Sequence, residues 1–302
     1  MKTFVTSVFF ALCAVSLMAQ TSVNLKLNLE KGKVYSIKTT SKQAIKQTYN
    51  GQQFAIDVNS NSVVSYRILQ QVNNIMDIEF KFDTIASKIS SPMFNKESNS
   101  AKPASSDPTE IIMNKISTYK LIAKISTAGK FISFVNYDKF KDNVMFVIDS
   151  IPATKRDDAK KLADGLLKET ALQSMVEPLF AYLPEKEVKT NDNWETSFFI
   201  VASNISMLSL NSYTLKGVEK DLASVTGTSE IESMPSNDPN AQMTQELKGK
   251  STFDGSIDPK TGLIVKSIST SIFEGTTTVK NDGQEMKMPM KLEGETTTTM
   301  TK

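Results

Sequence analysis

Apolar and polar residues alternate along most of this chain. Over residues 76–83, Met76, Ile78, Phe80 and Phe82 take one parity, and Asp77, Glu79, Lys81 and Asp83 take the other. Successive side chains of a strand point to opposite faces, so this is an antiparallel strand buried on one side and solvated on the other. The same period appears at Val23, Leu25, Leu27 and Leu29, at Phe54, Ile56 and Val58, and at Val64, Tyr66 and Ile68. It returns near the end, where Met286, Met288, Met290 and Leu292 oppose Lys287, Lys291 and Glu293. Turn chemistry separates the runs: Lys31-Gly32-Lys33, Asn50-Gly51, Asn73-Asn74, Thr127-Ala128-Gly129-Lys130, Asp258-Pro259-Lys260-Thr261-Gly262 and Asn281-Asp282-Gly283. Asn-Gly suits the two positive φ angles of a tight hairpin. Pro289 predicts an edge strand or bulge in the last run. Between Ile205 and Leu215 the apolar parity changes twice, which predicts a break near Asn211-Ser212.

The middle of the chain changes period. Phe140, Val144, Val147, Ile148 and Ile151 fit an amphipathic helix. Thr154 and Asp157 after Pro152 resemble a capping box. A second stripe follows through Leu162, Leu166, Leu172, Met175 and Leu179, kinked or ended near Pro178. Residues 91–109 lack periodicity and are rich in Ser, Pro, Asn and Lys, which predicts a mobile surface loop. The division is a leader at 1–19, an N-terminal β half at 20–136, a two-helix insert at 137–183 and a C-terminal β half at 184–302. Fold class is mainly β (α+β): a large curved antiparallel sheet or open half-barrel, one apolar face covered by the insert.

The first residues predict export. Lys2 precedes an apolar run from Phe4 to Val15, and Leu17-Met18-Ala19 offers a cleavage site before Gln20. The run is too short to span a bilayer and no second one follows, so the mature protein is expected to be soluble, periplasmic or secreted, without a transmembrane segment. Cys13 follows Leu12 rather than Gly, Ala or Ser, so no lipidation is expected. Cys13 is the single cysteine and there is no histidine. Those absences remove Ser-His-Asp and Cys-His catalysis, thiolate metal sites and His-ligated zinc, leaving carboxylates, Lys, Tyr and Ser. Charge is nearly balanced and the only arginines are Arg67 and Arg156, so nucleic acid is not an expected partner.

One pair of motifs mimics catalytic chemistry. Ser117-Thr118-Tyr119-Lys120 matches S-x-x-K and Lys260-Thr261-Gly262 matches K-T-G, as in serine β-lactamases. There the Ser must open a helix, whereas Ser117 leads into the strand-like Leu121-Ile122-Ala123-Lys124-Ile125. The S-D-N element is missing. The expectation is no enzyme, no metal and no cofactor.

Leu29-Glu30-Lys31-Gly32-Lys33-Val34-Tyr35, the Asn50-Gly51-Gln52-Gln53 hairpin, Asn191-Asp192-Asn193-Trp194, Asp258-Pro259-Lys260-Thr261-Gly262-Leu263-Ile264 and Met288-Pro289-Met290 follow one another in an order over the mature chain that resembles a family of exported Bacteroidetes proteins, domain of unknown function 6263. The resemblance implies no activity and no site residues. The architecture also looks like the open half-barrels of envelope lipid and lipoprotein carriers, a likeness of fold alone. Two functions remain. One is binding of a lipid or other apolar or amphipathic molecule between sheet and helices, lined by Phe80, Phe82, Leu166, Met175, Met286, Met288 and Met290. The other is a structural or interaction protein of the envelope with a filled core. The 286–292 face is expected to meet the helix stripe.

Overall fold

The computed structural model describes residues 22–49, 51–103, 106–202, 205–235, 243–281 and 284–301. The expectations placed on the leader, on Asn50 and on Asp282-Gly283 lie outside the described residues. In chain order the strands are β1 (Ser22–Val23), β2 (Tyr35–Tyr49), β3 (Gln52–Val72), β4 (Ile75–Ser90), β5 (Asn95–Asn99), β6 (Lys120–Ser126) and β7 (Phe131–Phe134). They continue with β8 (Val188–Lys189), β9 (Asn193–Ala202), β10 (Ile205–Glu219), β11 (Leu222–Ser233), β12 (Met243–Asp258), β13 (Leu263–Asn281) and β14 (Gln284–Met300). The helices are α1 (Pro108–Thr118), α2 (Tyr137–Met145), α3 (Arg156–Leu166) and α4 (Glu169–Val176).

One antiparallel sheet runs in the order β7-β6-β4-β3-β2-β14-β13-β12-β11-β10-β9, with β5 beside β4; β1 and β8 pair separately. The first and last long strands meet at its centre, Ile37 opposite Met300 and Gln47 opposite Met290. The two β halves are therefore arms of one sheet. Pro289 sits inside this sheet, on a strand paired on both sides but beyond the stretch of β14 that pairs β2. There its missing N–H interrupts no ladder with β2.

The sheet curls without closing. Its main core joins Tyr66, Ile78 and Phe80 from one arm to Tyr213, Leu215 and Ile264 from the other. Strands so far apart in the pairing order share a core only if that face is turned inward. The helices fill the gap, α1 packing on β4 and α4 on β9. Phe180, just beyond α4, meets Tyr66 edge-on at 5.3 Å. Gly129 (φ 78) lies so close to the Phe180 carbonyl that a Cβ would collide with it.

Several elements differ from the sequence expectations. Residues 91–109 are not one loop. Residues 95–99 form β5, and Asp107 caps α1, its carboxylate accepting from the Thr109 N–H at 2.7 Å. Leu25, Leu27 and Leu29 are buried but belong to no strand. Instead the Leu27 N–H donates to the Thr127 carbonyl and the Asn28 N–H to the Thr261 carbonyl, so this segment threads between two hairpin turns. The long helical stripe is two helices, interrupted between Leu166 and Glu169. No capping box forms at Thr154, which lies in a 3-10 turn ahead of α3. β10 is unbroken at Asn211-Ser212; its irregularity lies between Leu215 and Gly217. Among the described residues no helix is long and apolar enough to cross a membrane.

Candidate functional site

Directly opposed residues of an antiparallel pair share a face, so the registers carry the inward parity from strand to strand. The inward set is odd-numbered in β2, β11 and β12 and in β10 up to Leu215, beyond whose bulge it passes to Val218; it is even-numbered in β9 and β14 and in β3 up to Ile68. In β4 it switches from even to odd past the bulge at Asp83, and in β13 it is odd from Ser267 onward. Among the described residues of these strands, every Lys, Arg, Asp and Glu falls on the outward parity. Among these described residues the strands bring no charge to the inner face.

That face has three zones. The first is the main core. Next comes a belt of small polar groups. Thr39 faces Ser62 and Thr298, and Ser41 faces Ser60 and Thr296. A third row runs through Gln43, Gly294, Ser271, Ser251, Ser229 and Asn211. The Thr296 hydroxyl donates to Ser41 at 3.1 Å, and buried Ser209 donates to the Asn211 side-chain carbonyl at 2.8 Å. Hydroxyls at the centre of a packed core would need partners; here they line a face.

Beyond the belt the face turns apolar again. Ile45 lies opposite Ile56 and Leu292, and Leu292 opposite Phe273; all four are half-buried. A second cluster of Met207, Ile231 and Leu247 gathers Ile200, Ile205, Phe273 and Met290 around it. Glycines make room for rings here. The Phe273 ring lies over Gly249, and a Cβ at Gly249 would strike it.

The outward face is built differently. Glu79 accepts from Arg67 at 2.9 Å and from Lys120 at 2.8 Å. Asp77 accepts from Lys124 and Gln70, both at 2.7 Å. Burial pulls both carboxyls upward, but these hydrogen bonds and positive charges hold each below its ordinary value. Phe199 and Leu210 are apolar exceptions, 44% and 53% exposed.

The residues proposed from sequence fall into two places. Phe80 and Phe82 are fully buried in the main core, and Leu166 and Met175 pack against it half-buried. Met286, Met288 and Met290 lie half-buried on the inner face of β14, with Met290 in the second cluster. The expected meeting of the 286–292 face with the helices is thus corrected. Met300 is the β14 residue that reaches the main core, and ten residues of strand put Met290 about 34 Å farther along. Sequence reasoning missed Ile45, Ile56, Met207, Ile231, Leu247 and Phe273. The signal available for them was the absence of charge at every second position.

The two motif look-alikes are absorbed by local structure. Ser117 lies in the last turn of α1, its hydroxyl donating to the Met113 carbonyl at 3.1 Å, and Lys120 is bound to Glu79. Thr261 donates to Asp258 within its turn at 2.8 Å. Among the described residues no cluster of acidic, Cys or His side chains could hold a metal.

No curated protein matches the chain. A lipovitellin structure concerned with lipid–protein interactions is similar at 10% identity and a TM-score of 0.48, over 91% of this chain and 26% of that one. The chain therefore spans about a quarter of lipovitellin's length. The COG4313 outer membrane channel from Pseudomonas putida F1 is similar at 7% identity and a TM-score of 0.28, over 91% of this chain and 97% of the channel. OpdQ from Pseudomonas aeruginosa reaches 6% and 0.24, over 89% and 99%. Likenesses at these scores bear on neither fold nor function. Residues 73–264 match the model of a family of unknown function (DUF6263).

Proposed function

The chain belongs to that family of unknown function, from which no activity carries over, and we propose that it binds an apolar or amphipathic molecule, such as a lipid, on the inner face of its curled sheet, outside the cytoplasm. The observation that carries the reading is the charge-free inner face, which runs past the main core into a second apolar zone around Met207, Ile231 and Leu247. A core needs no such extension. Apolar surface left in water costs about 25 cal/mol per Å², and a bound apolar molecule recovers it. Among the described residues no charged side chain of the strands lies within the face to oppose such a guest. The reading needs no cofactor and no bond-making step. Export rests on the leader-like residues 1–19.

Native mass spectrometry of the protein purified from its own cells tests this. The expected spectrum carries an added mass that organic extraction removes. A bare polypeptide mass, before and after extraction, contradicts it.

The second reading is an interaction protein of the envelope. Phe199 and Leu210, exposed on the outer face of β9 and β10 with Leu208 opposite Phe199, favour it. A bare mass together with association lost in Leu210→Ser would support that reading instead.

A further inference from the structure

We infer that the molecule bound is a neutral amphiphile, its uncharged polar end in the Ser/Thr belt and its chain along the apolar zone. The inference rests on the binding reading above and narrows its ligand class. Three observations combine.

The first is order along the strands. The belt lies between the main core and the second cluster, so polar and apolar lining succeed each other in one direction. From Thr39 to Tyr49 on β2 the inner face extends by about 34 Å, the span of a headgroup and a long alkyl chain.

The second is chemical type. The belt consists of hydroxyls and amides, with Thr39, Ser41, Gln43, Ser269, Ser271 and Asn211 among them. A hydroxyl both donates and accepts, and rotates to do either. The Thr39 and Thr298 hydroxyls already share one such contact at 3.4 Å. A surface of this kind matches glycerol, sugar or amide groups, which also offer both roles.

The third is charge. Among the described residues the sheet strands themselves offer no opposite charge to a carboxylate, phosphate or ammonium on the inner face, because every ionised side chain of these strands points outward; Lys130, Glu177 and Glu185, which line a cavity with Asn211, lie off these strands at the β9 end. A charged headgroup leaving water there would stay unpaired, which is costly, whereas a neutral one exchanges water for hydroxyls. The face therefore selects against ionised lipids by what it lacks.

The test is a calorimetric titration of the whole chain with a monoacylglycerol and with the fatty acid of equal chain length, both below their micellar concentrations, at a pH where the carboxyl is ionised. An uncharged solvatochromic dye is titrated in parallel. The monoacylglycerol should bind at least about tenfold more tightly than the fatty acid. Ser269→Asp should weaken the monoacylglycerol about tenfold, and Ser269→Ala, a milder change, should weaken it in the same direction. Equal or tighter binding of the fatty acid overturns the inference. So does dye binding with no monoacylglycerol binding, an outcome that leaves the broader reading standing. Absence of binding by all three probes removes both.

Discussion

Tyr182 holds Gly262. The tyrosine hydroxyl donates to the Gly262 carbonyl at 2.8 Å and accepts from the Ile264 N–H at 3.1 Å. Tyr182 lies just past the helices, and Gly262 in the turn between β12 and β13, so one buried oxygen pins the helical segment to the C-terminal arm. The same residue's carbonyl accepts from Trp194 Nε1 at 2.9 Å, extending the pin to β9.

Tyr182→Phe removes that oxygen and leaves a buried carbonyl and N–H unpaired. The expected cost is about 1–3 kcal/mol in a denaturant melt. A change below about 0.5 kcal/mol would mean the pin is redundant with apolar packing.

The two apolar zones should respond differently to truncation. Leu172 is fully buried in the main core, and Leu172→Ala should cost about 2–5 kcal/mol. Met288 is half-buried and lies away from the helices, so Met288→Ala should cost less than about 1 kcal/mol while weakening binding of an apolar probe. Equal destabilisation by both changes would show one continuous core.

Acid should loosen the outer face of β3, β4 and β6 first. Glu79 and Asp77 are held below their ordinary values of 4.5 and 3.8. A depressed folded value means that the unfolded chain takes up protons first as pH falls. The stability these groups contribute is fully present above those ordinary values and is lost as pH drops through the folded ones. Glu79→Gln should flatten the acid limb of a stability–pH curve measured by urea melts; an unchanged limb would assign the acid sensitivity elsewhere.

How much of this was legible in the sequence depended on where charge and apolarity coincide. The strand at 76–83 was readable because its apolar and charged residues sit on opposite parities. β10 was misread because its buried row contains Ser209 and Asn211 while Leu208 and Leu210 face out, so apolarity marked the wrong side. The start of α1 was hidden because Asp107-Pro108, a strong helix-opening pair, lies inside a Ser- and Pro-rich stretch that reads as loop. The break between α3 and α4 leaves the stripe of Leu162, Leu166 and Met175 intact, so periodicity alone ran them together. The pairing of β2 with β14 joins residues more than two hundred positions apart, beyond any local signal. For the candidate site, the methionines of β14 were visible as a stripe, but their distance from the helices came only from strand register.

The most direct measurement of the central claim compares two adjacent residues of β12 that point to opposite faces. Leu247 faces inward in the second cluster, and Glu246 faces outward. Titration of an uncharged solvatochromic dye against the wild type, Leu247→Asp and Glu246→Lys, each confirmed as folded by circular dichroism, separates the faces. The wild type and Glu246→Lys should give a blue-shifted, saturable signal, and Leu247→Asp an affinity at least about tenfold weaker. Equal dye binding by all three, or none by the wild type, would contradict the central claim.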